Sequence, residues 1–157
     1  MKIGIIADIH FKASKNIFDR LEMCKQSLLW AYQQFEKENV DLIVNLGDVY
    51  DSSVVSAETI QTVSSIFKAH PDIHEIVIAG NHDSFNYLNT VVSHLSIHND
   101  VEVITEPEKS LGLSFLPYRK TKDITEDLLK ELSNDVLFSH IDINKSTSGS
   151  GFRLPGV

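Results

Sequence analysis

The sequence predicts an α/β fold in which mostly parallel, partly mixed β-sheet layers are flanked by helices. Two observations predict it. Short β-branched runs alternate with stretches of helical period along nearly the whole chain. The segments between runs are long enough to be crossover helices, and crossovers imply parallel strands. A third observation fixes the scale. The chain has 157 residues, 42% of them hydrophobic and 23% charged, which suits one domain with its own core and excludes a disordered or collagen-like chain.

The elements follow in order. Residues 2–7 (KIGIIA) form a short bounded apolar run, hence a buried strand. Residues 16–38 predict a helix capped by Asn16, with Phe18, Leu21, Leu28, Tyr32 and Phe35 near one face. Residues 41–46 (DLIVNL) predict the second strand. Residues 56–70 predict a helix striped by Ile60, Val63 and Phe67 and stopped by Pro71. Residues 75–79 (EIVIA) are the third strand. Residues 86–97 predict a helix through Leu88, Val91, Val92 and Leu95. Short strands follow at 101–104 and 113–116, a helix at 124–132 and a last strand at 135–138. Residues 1–144 are read as the domain. Residues 145–157 (KSTSGSGFRLPGV) are rich in Ser and Gly without apolar period, and read as a loop or truncated tail, so the fold is expected to be incomplete at this end.

Charge and cysteine narrow the classes. The net charge of −8 excludes a broadly basic nucleic-acid sleeve but not a metal enzyme, whose carboxylate ligands count as negative until the ion arrives. Cys24 is the single cysteine, so neither an intrachain disulfide nor a thiolate cluster can form, and a reducing, cytoplasmic setting is expected. No apolar run in the sequence is long enough for a signal peptide or a membrane span.

Four predicted strands end in polar signatures: Asp8-Ile9-His10, Gly47-Asp48 with Asp51 following, Gly80-Asn81-His82-Asp83, and Ser139-His140. Ligands of open α/β sheets bind at the carboxyl ends of strands. Nitrogen and oxygen donors without sulfur suit manganese, iron or zinc. Strand alternation lets Asp8 and His10 face one ion. The two oxygens of Asp48 let it bridge two ions, and Asn81 with His140 can complete the second. The glycines at 47 and 80 allow sharp turns close to the site. Two such ions clamp a phosphoryl group and activate water near neutral pH. His82 is then better suited to be general acid for the leaving oxygen than metal ligand, with Asp83 orienting or charging it.

These motifs, in this order, resemble the calcineurin-like metallophosphoesterase superfamily. The Met-Lys-Ile start, the GDVYD form of the second motif and Phe115-Leu116-Pro117-Tyr118 resemble its SbcD-type and phage recombination nuclease branch. The resemblance implies that Asp8 and His10 bind one metal, Asp48 bridges, Asn81 and His140 bind the other, and His82 assists catalysis. It implies two divalent ions, manganese first, with iron, zinc or magnesium as alternatives. It implies a phosphodiesterase acting on DNA, in which a hydroxide activated by the two metals attacks the phosphodiester. The implied setting is a recombination or repair complex in a bacterium or phage-infected host. The implied partners are DNA, a coiled-coil ATPase subunit of the SbcC type, and a second copy bound through helices 56–70 and 86–97. The family's final Gly-His-x-His motif has no match here, since His140 is the last of seven histidines, and the chain is therefore read as an N-terminal part of a larger nuclease.

Two other functions are compatible with the same residues. One is a phosphomonoesterase, protein phosphatase or nucleotide phosphodiesterase of the same superfamily. The other is a non-catalytic binding module on the same fold. Other polar residues read as structural: Asp51 as a turn or supporting acceptor, His94 and His98 as a solvated helix face, Arg119 as a surface residue and Cys24 as packing. The cluster at Lys120 and Lys122 is too small to be a DNA patch by itself.

Overall fold

The computed structural model describes residues 1–14, 18–69, 72–87 and 89–142, so the expected tail at 145–157 lies outside the described residues. Strands β1 (Ile3–Ile6), β2 (Leu42–Asn45), β3 (His74–Ile78) and β4 (Val101–Ile104) form one parallel sheet in the order β1-β2-β3-β4. The two central strands are buried on both faces and are mostly apolar, with the buried polar residues Asn45 and Glu75 at their ends hydrogen-bonded to each other. A second sheet holds β5 (Glu108–Ser110), β6 (Leu113–Leu116) and β7 (Leu137–Ser139), with β5 antiparallel and β7 parallel to β6. The expected strands are present, shifted by a residue or two at their ends. β5 was not expected, because EKS has no apolar period. Its hairpin turns through Leu111 and Gly112 at φ of 52° and 76°, the left-handed pair that a tight two-residue turn requires.

Side-chain alternation builds three layers. Ile43 and Val77 cluster with Leu28, Tyr32, Val63 and Phe67 of the helices α1 (Arg20–Lys37) and α2 (Ala57–Lys68). On the other face of the sheet, Leu42, Val44, Ile76 and Ile78 cluster with Leu113, Phe115 and Phe138 of the second sheet. The rings of Phe115 and Phe138 stack at 5.6 Å. Helices, parallel sheet and small mixed sheet thus lie in sequence, and strand ends from two stacked sheets, rather than one, border the polar rim.

Several expectations need correction. Helix α1 is capped by Asp19, whose carboxylate accepts from Glu22 N at 3.2 Å; the expected cap, Asn16, lies outside the described residues. Phe18 precedes this cap, falls off the helical stripe and is 70% exposed. Residues 86–97 do not form one helix. Asn86 Oδ1 accepts from Asn89 N at 3.0 Å, and Thr90 caps a 3-10 helix at Val91–Ile97. Asn and Thr side chains here satisfy backbone groups locally and so compete with an α-helix. The pair of segments expected to mediate self-association is therefore one α-helix and a 3-10 segment. Helix α3 (Glu126–Glu131) starts on a Thr125 cap, as a shorter version of the expected helix. Arg119 is 7% exposed rather than a surface residue. Its guanidinium donates to the carbonyls of Tyr118 and Thr105, pairs with Glu106 at 2.9 Å and lies 4.6 Å over the Tyr87 ring.

The histidine pair on the 3-10 segment also differs from expectation. His94 is half-buried and its Nε2 lies 2.7 Å from the Tyr50 hydroxyl, while His98 packs on Phe67 with ring centroids 6.2 Å apart. Burial pushes the His94 pKa down, so the folded chain prefers the neutral ring that accepts from Tyr50. Between the depressed folded value and the unfolded value near 6.5, the unfolded chain binds more protons, so stability rises with pH and is lost on acidification through that window. The melting temperature should therefore fall as pH drops below about 6.5, and the slope should flatten in His94→Gln. An unchanged slope in that variant would assign the acid sensitivity to other groups.

Candidate metal centre

The register of the parallel sheet brings three loops to one level. Ile6 pairs with Asn45 and Asn45 with Val77, so β1, β2 and β3 end together. Past their ends the first two loops stay zipped: Asp8 N donates to Gly47 O at 3.1 Å, His10 N to Asp48 O at 2.9 Å and Phe11 N to Val49 O at 2.8 Å. The second sheet is tied in by Tyr118 N, which donates to Ala79 O at 2.9 Å. His140 Nδ1 donates to Leu46 O at 2.7 Å.

Asp8 and His10 converge for a reason other than strand alternation. β1 stops at Ile6, and Asp8, His10 and Asp48 adopt left-handed φ values of 54°, 53° and 52°. Such backbone is uncommon outside glycine and clusters at functional sites. The glycines act as expected. Gly47 has φ +92°, and a Cβ there would lie 2.6 Å from Gly80 N. A Cβ on Gly80 would lie 2.1 Å from Asp48 Oδ1. The close approach of the second and third loops therefore depends on two missing side chains.

The donors meet around Asp48. Its Oδ2 lies 3.7 Å from His10 Nε2 and 3.5 Å from His140 Nε2, and its Oδ1 accepts from His82 N at 2.8 Å. One carboxylate oxygen thus faces both histidines while the other is held by backbone. Asp8 Oδ1 lies 3.7 Å from His10 Nε2, and Asn81 Oδ1 lies 2.9 Å from His140 Nε2. Two groups of donors, His10–Asp48–His82 and Asp8–Asp48–His140, each close to within 4.8 Å and could hold a metal ion. Asp48 belongs to both.

The donor chemistry fits a cation. Because His140 Nδ1 donates to a carbonyl, the Nε2 of the neutral ring is an acceptor, and it points at two further acceptors, Asp48 Oδ2 and Asn81 Oδ1. A positive charge among these groups, a metal ion or a proton on Nε2, satisfies all three. His10 Nε2 faces Asp8 Oδ1 and Asp48 Oδ2, each at 3.7 Å, while its Nδ1 is buried with no hydrogen-bond partner among the described residues.

His82 is exposed. Its Nδ1 donates to the Asp51 carbonyl at 2.7 Å, and its ring meets that of His10 edge-on at 4.8 Å. The structure gives Asp83 a task different from orienting this ring. Asp83 is fully buried, and its carboxylate accepts from Tyr50 N at 2.9 Å, Gly80 N at 3.0 Å and Val49 N at 3.3 Å. Burial raises its pKa, against the pull of those amides. The main-chain carbonyl of Asp51 orients His82 instead. The Asp51 carboxylate is held below its usual range by a hydrogen bond from Lys12 at 2.7 Å, with Arg20 at 2.8 Å adding to it. Tyr118 was not foreseen at the site, yet its ring stands edge-on to His140 at 6.4 Å. The signal was Pro117-Tyr118 at a strand end, the position that also carries the other donors.

Removing the Asp83 carboxylate leaves three buried amides without partners. Asp83→Ala should cost about 3 kcal/mol, a fall in melting temperature of about 9 °C for a chain of this size. Thermal unfolding followed by circular dichroism checks it, and a change under about 2 °C would show that the amides find other partners.

A layered α/β fold with one carboxylate shared between two donor groups at its strand ends defines the metallophosphoesterase class. The chain belongs to the Calcineurin-like phosphoesterase family, which it matches over residues 1–153. It is 34% identical over 134 residues to the SbcD component of the nuclease SbcCD of Staphylococcus epidermidis, in agreement with the resemblance read from its motifs; that match covers 79% of this chain and 36% of the relative. The chain thus spans about a third of the length of this curated relative. The solved structure of an archaeal phosphodiesterase shares the fold, with a TM-score of 0.52 at 19% identity over 96% of this chain and 80% of that one. A nuclease MPE of Pseudomonas putida gives a TM-score of 0.48 at 22% identity, over 73% of this chain and 52% of that one. Among the described residues, no helix is long and apolar enough to cross a membrane.

Proposed function

We propose that this chain carries the catalytic centre of a metal-dependent phosphodiesterase acting on DNA, as the nuclease subunit of a recombination or repair complex. The observation that supports it best is Asp48 Oδ2 facing both His10 and His140, at the junction of two donor groups. The staphylococcal relative is named as one component of a nuclease, which supports the substrate class and a partner subunit of the SbcC type.

Two divalent ions, manganese first, supply polarisation of the phosphate and a lowered pKa of water when bound. On the resemblance, Asp8 and His10 would hold one ion, Asn81 and His140 the other, and Asp48 would contribute to both; the donor groups that close within 4.8 Å share Asp48 in the same way but set His82 beside His10 and Asp8 beside His140. The left-handed turns at residues 8, 10 and 48 keep these donors aimed before any ion arrives. His82 is exposed and oriented by the Asp51 carbonyl through Nδ1, so its protonated ring holds the second proton on Nε2 for the leaving oxygen.

The test is hydrolysis of bis-(p-nitrophenyl) phosphate, p-nitrophenyl phosphate and linear DNA, with manganese and with chelator. Manganese-dependent cleavage of the diester and of DNA is expected. Preference for the monoester with no DNA cleavage would move the chain to the phosphatases of the family. Failure to bind metal at all would make it a binding module.

A further inference from the structure

Beside the metal centre, on the His140 side, lies a cavity of about 420 Å³ lined by Ser84, Phe85, Tyr87, Tyr118, Lys120 and Lys122. Its walls grow from the loops that carry the donors. Phe85 follows Asn81, His82 and Asp83 by two to four residues, on a turn closed by its own N–H donating to Asn89 O at 2.9 Å. Tyr118 is anchored to Ala79 and turns its ring toward His140. Tyr87 is fixed from below by the Arg119 guanidinium and from the side by Asp123, to which its hydroxyl donates. That hydroxyl also accepts from Lys120 N at 3.1 Å. The cavity is therefore built on backbone already committed to the site.

What it offers is chemically specific. Phe85 is 60% exposed and has no aromatic partner among the described residues. Its face is open to stack with a base, an interaction that any base can make. Lys120 and Lys122 make no ion pair among the described residues, and the one carboxylate in the lining, Asp123, is engaged by Tyr87. On a chain of net charge −8, two unpaired ammonium groups next to an acidic centre give a local attraction for phosphate that the bulk charge lacks. Aromatic faces combined with lysines describe a platform for single-stranded nucleic acid, in which bases stack and the backbone follows the positive charge.

We propose that this cavity is a nucleotide subsite: an unpaired base of the DNA strand stacks against Phe85 and Tyr118, and the phosphate next to the scissile one lies on Lys120 and Lys122. The proposal rests on the DNA-directed reading of the metal centre and adds to it a preference for an unpaired strand.

The experiment is a titration of a short single-stranded oligonucleotide carrying one 2-aminopurine, with calcium in place of manganese, read by fluorescence. Stacking should quench the probe. Phe85→Ala should remove most of the quenching and weaken binding on the order of ten-fold. Lys120→Ala with Lys122→Ala should lower the slope of log affinity against log salt by about 0.7, the value for one lost phosphate contact on a single strand. Equal quenching and affinity in Phe85→Ala would overturn the proposal, as would a fully paired duplex binding as tightly as the single strand. A manganese titration of the same proteins separates the two readings. Manganese bound with Phe85-independent binding removes the subsite alone. Phe85-dependent quenching with no manganese bound removes the nuclease reading and leaves a nucleic-acid-binding surface.

Discussion

Asp48→Asn should abolish metal binding by the chain. A calorimetric titration of the parent with manganese is expected to give two ions per chain, and the variant none, because Asp48 is the one residue common to both donor groups. The variant keeps the shape of the side chain and an acceptor for His82 N, so the loops stay in place while the shared charge is lost. Hydrolysis of bis-(p-nitrophenyl) phosphate by the catalytically competent protein should fall by about three powers of ten, the scale of several kcal/mol of charge stabilisation. Retention of both ions in Asp48→Asn would remove the shared-carboxylate arrangement. Loss of one ion alone would show that the two groups assemble independently.

Gly80→Ala should be strongly damaging to both the fold and the candidate centre. The added Cβ would sit 2.1 Å from Asp48 Oδ1 and 2.3 Å from Asp48 N, so relief requires moving backbone rather than rotating a side chain. Asp83 also anchors the Gly80 amide, which leaves the loop little room to retreat. A destabilisation of about 4 kcal/mol is expected, above the usual range for overpacking because backbone lies opposite, or about 12 °C in melting temperature. Metal stoichiometry should fall with it. A variant that melts within about 3 °C of the parent and still titrates with manganese would show that the glycine contact is adaptable.

The sequence showed the parallel sheet clearly because β2 and β3 are buried on both faces and carry short apolar runs, at residues 42–44 and 76–78. It showed the candidate donors because their residue types sit directly beyond those runs. It did not show what holds them. Asp83 is polar and adjacent to His82, so chemistry suggested an orienting partner, yet three backbone amides from two loops claim it. No spacing rule reports a bond across 34 residues. Arg119 is charged, and only the fold reveals the carbonyls, the carboxylate and the Tyr87 ring that let it be buried. Glu75 is similar: a fully buried acid at the start of β3, satisfied by Tyr32 and Asn45 from a helix and a neighbouring strand. The 86–97 segment misled for a different reason. Its apolar spacing is helical, but Asn86, Asn89 and Thr90 satisfy local amides first.

The left-handed backbone at Asp8, His10 and Asp48 sets a conflict between robustness and chemistry. Each such residue costs about 1 kcal/mol relative to relaxed backbone, and glycine at any of the three would recover part of it while deleting a donor. A directed-evolution screen for heat resistance, run in chelator, should therefore enrich substitutions at these positions and return sturdy proteins that bind nothing. The same screen run in excess manganese should select against them, because ligand bound only to the folded chain outweighs the strain. The composition of the selection buffer would decide whether the lineage keeps its active centre.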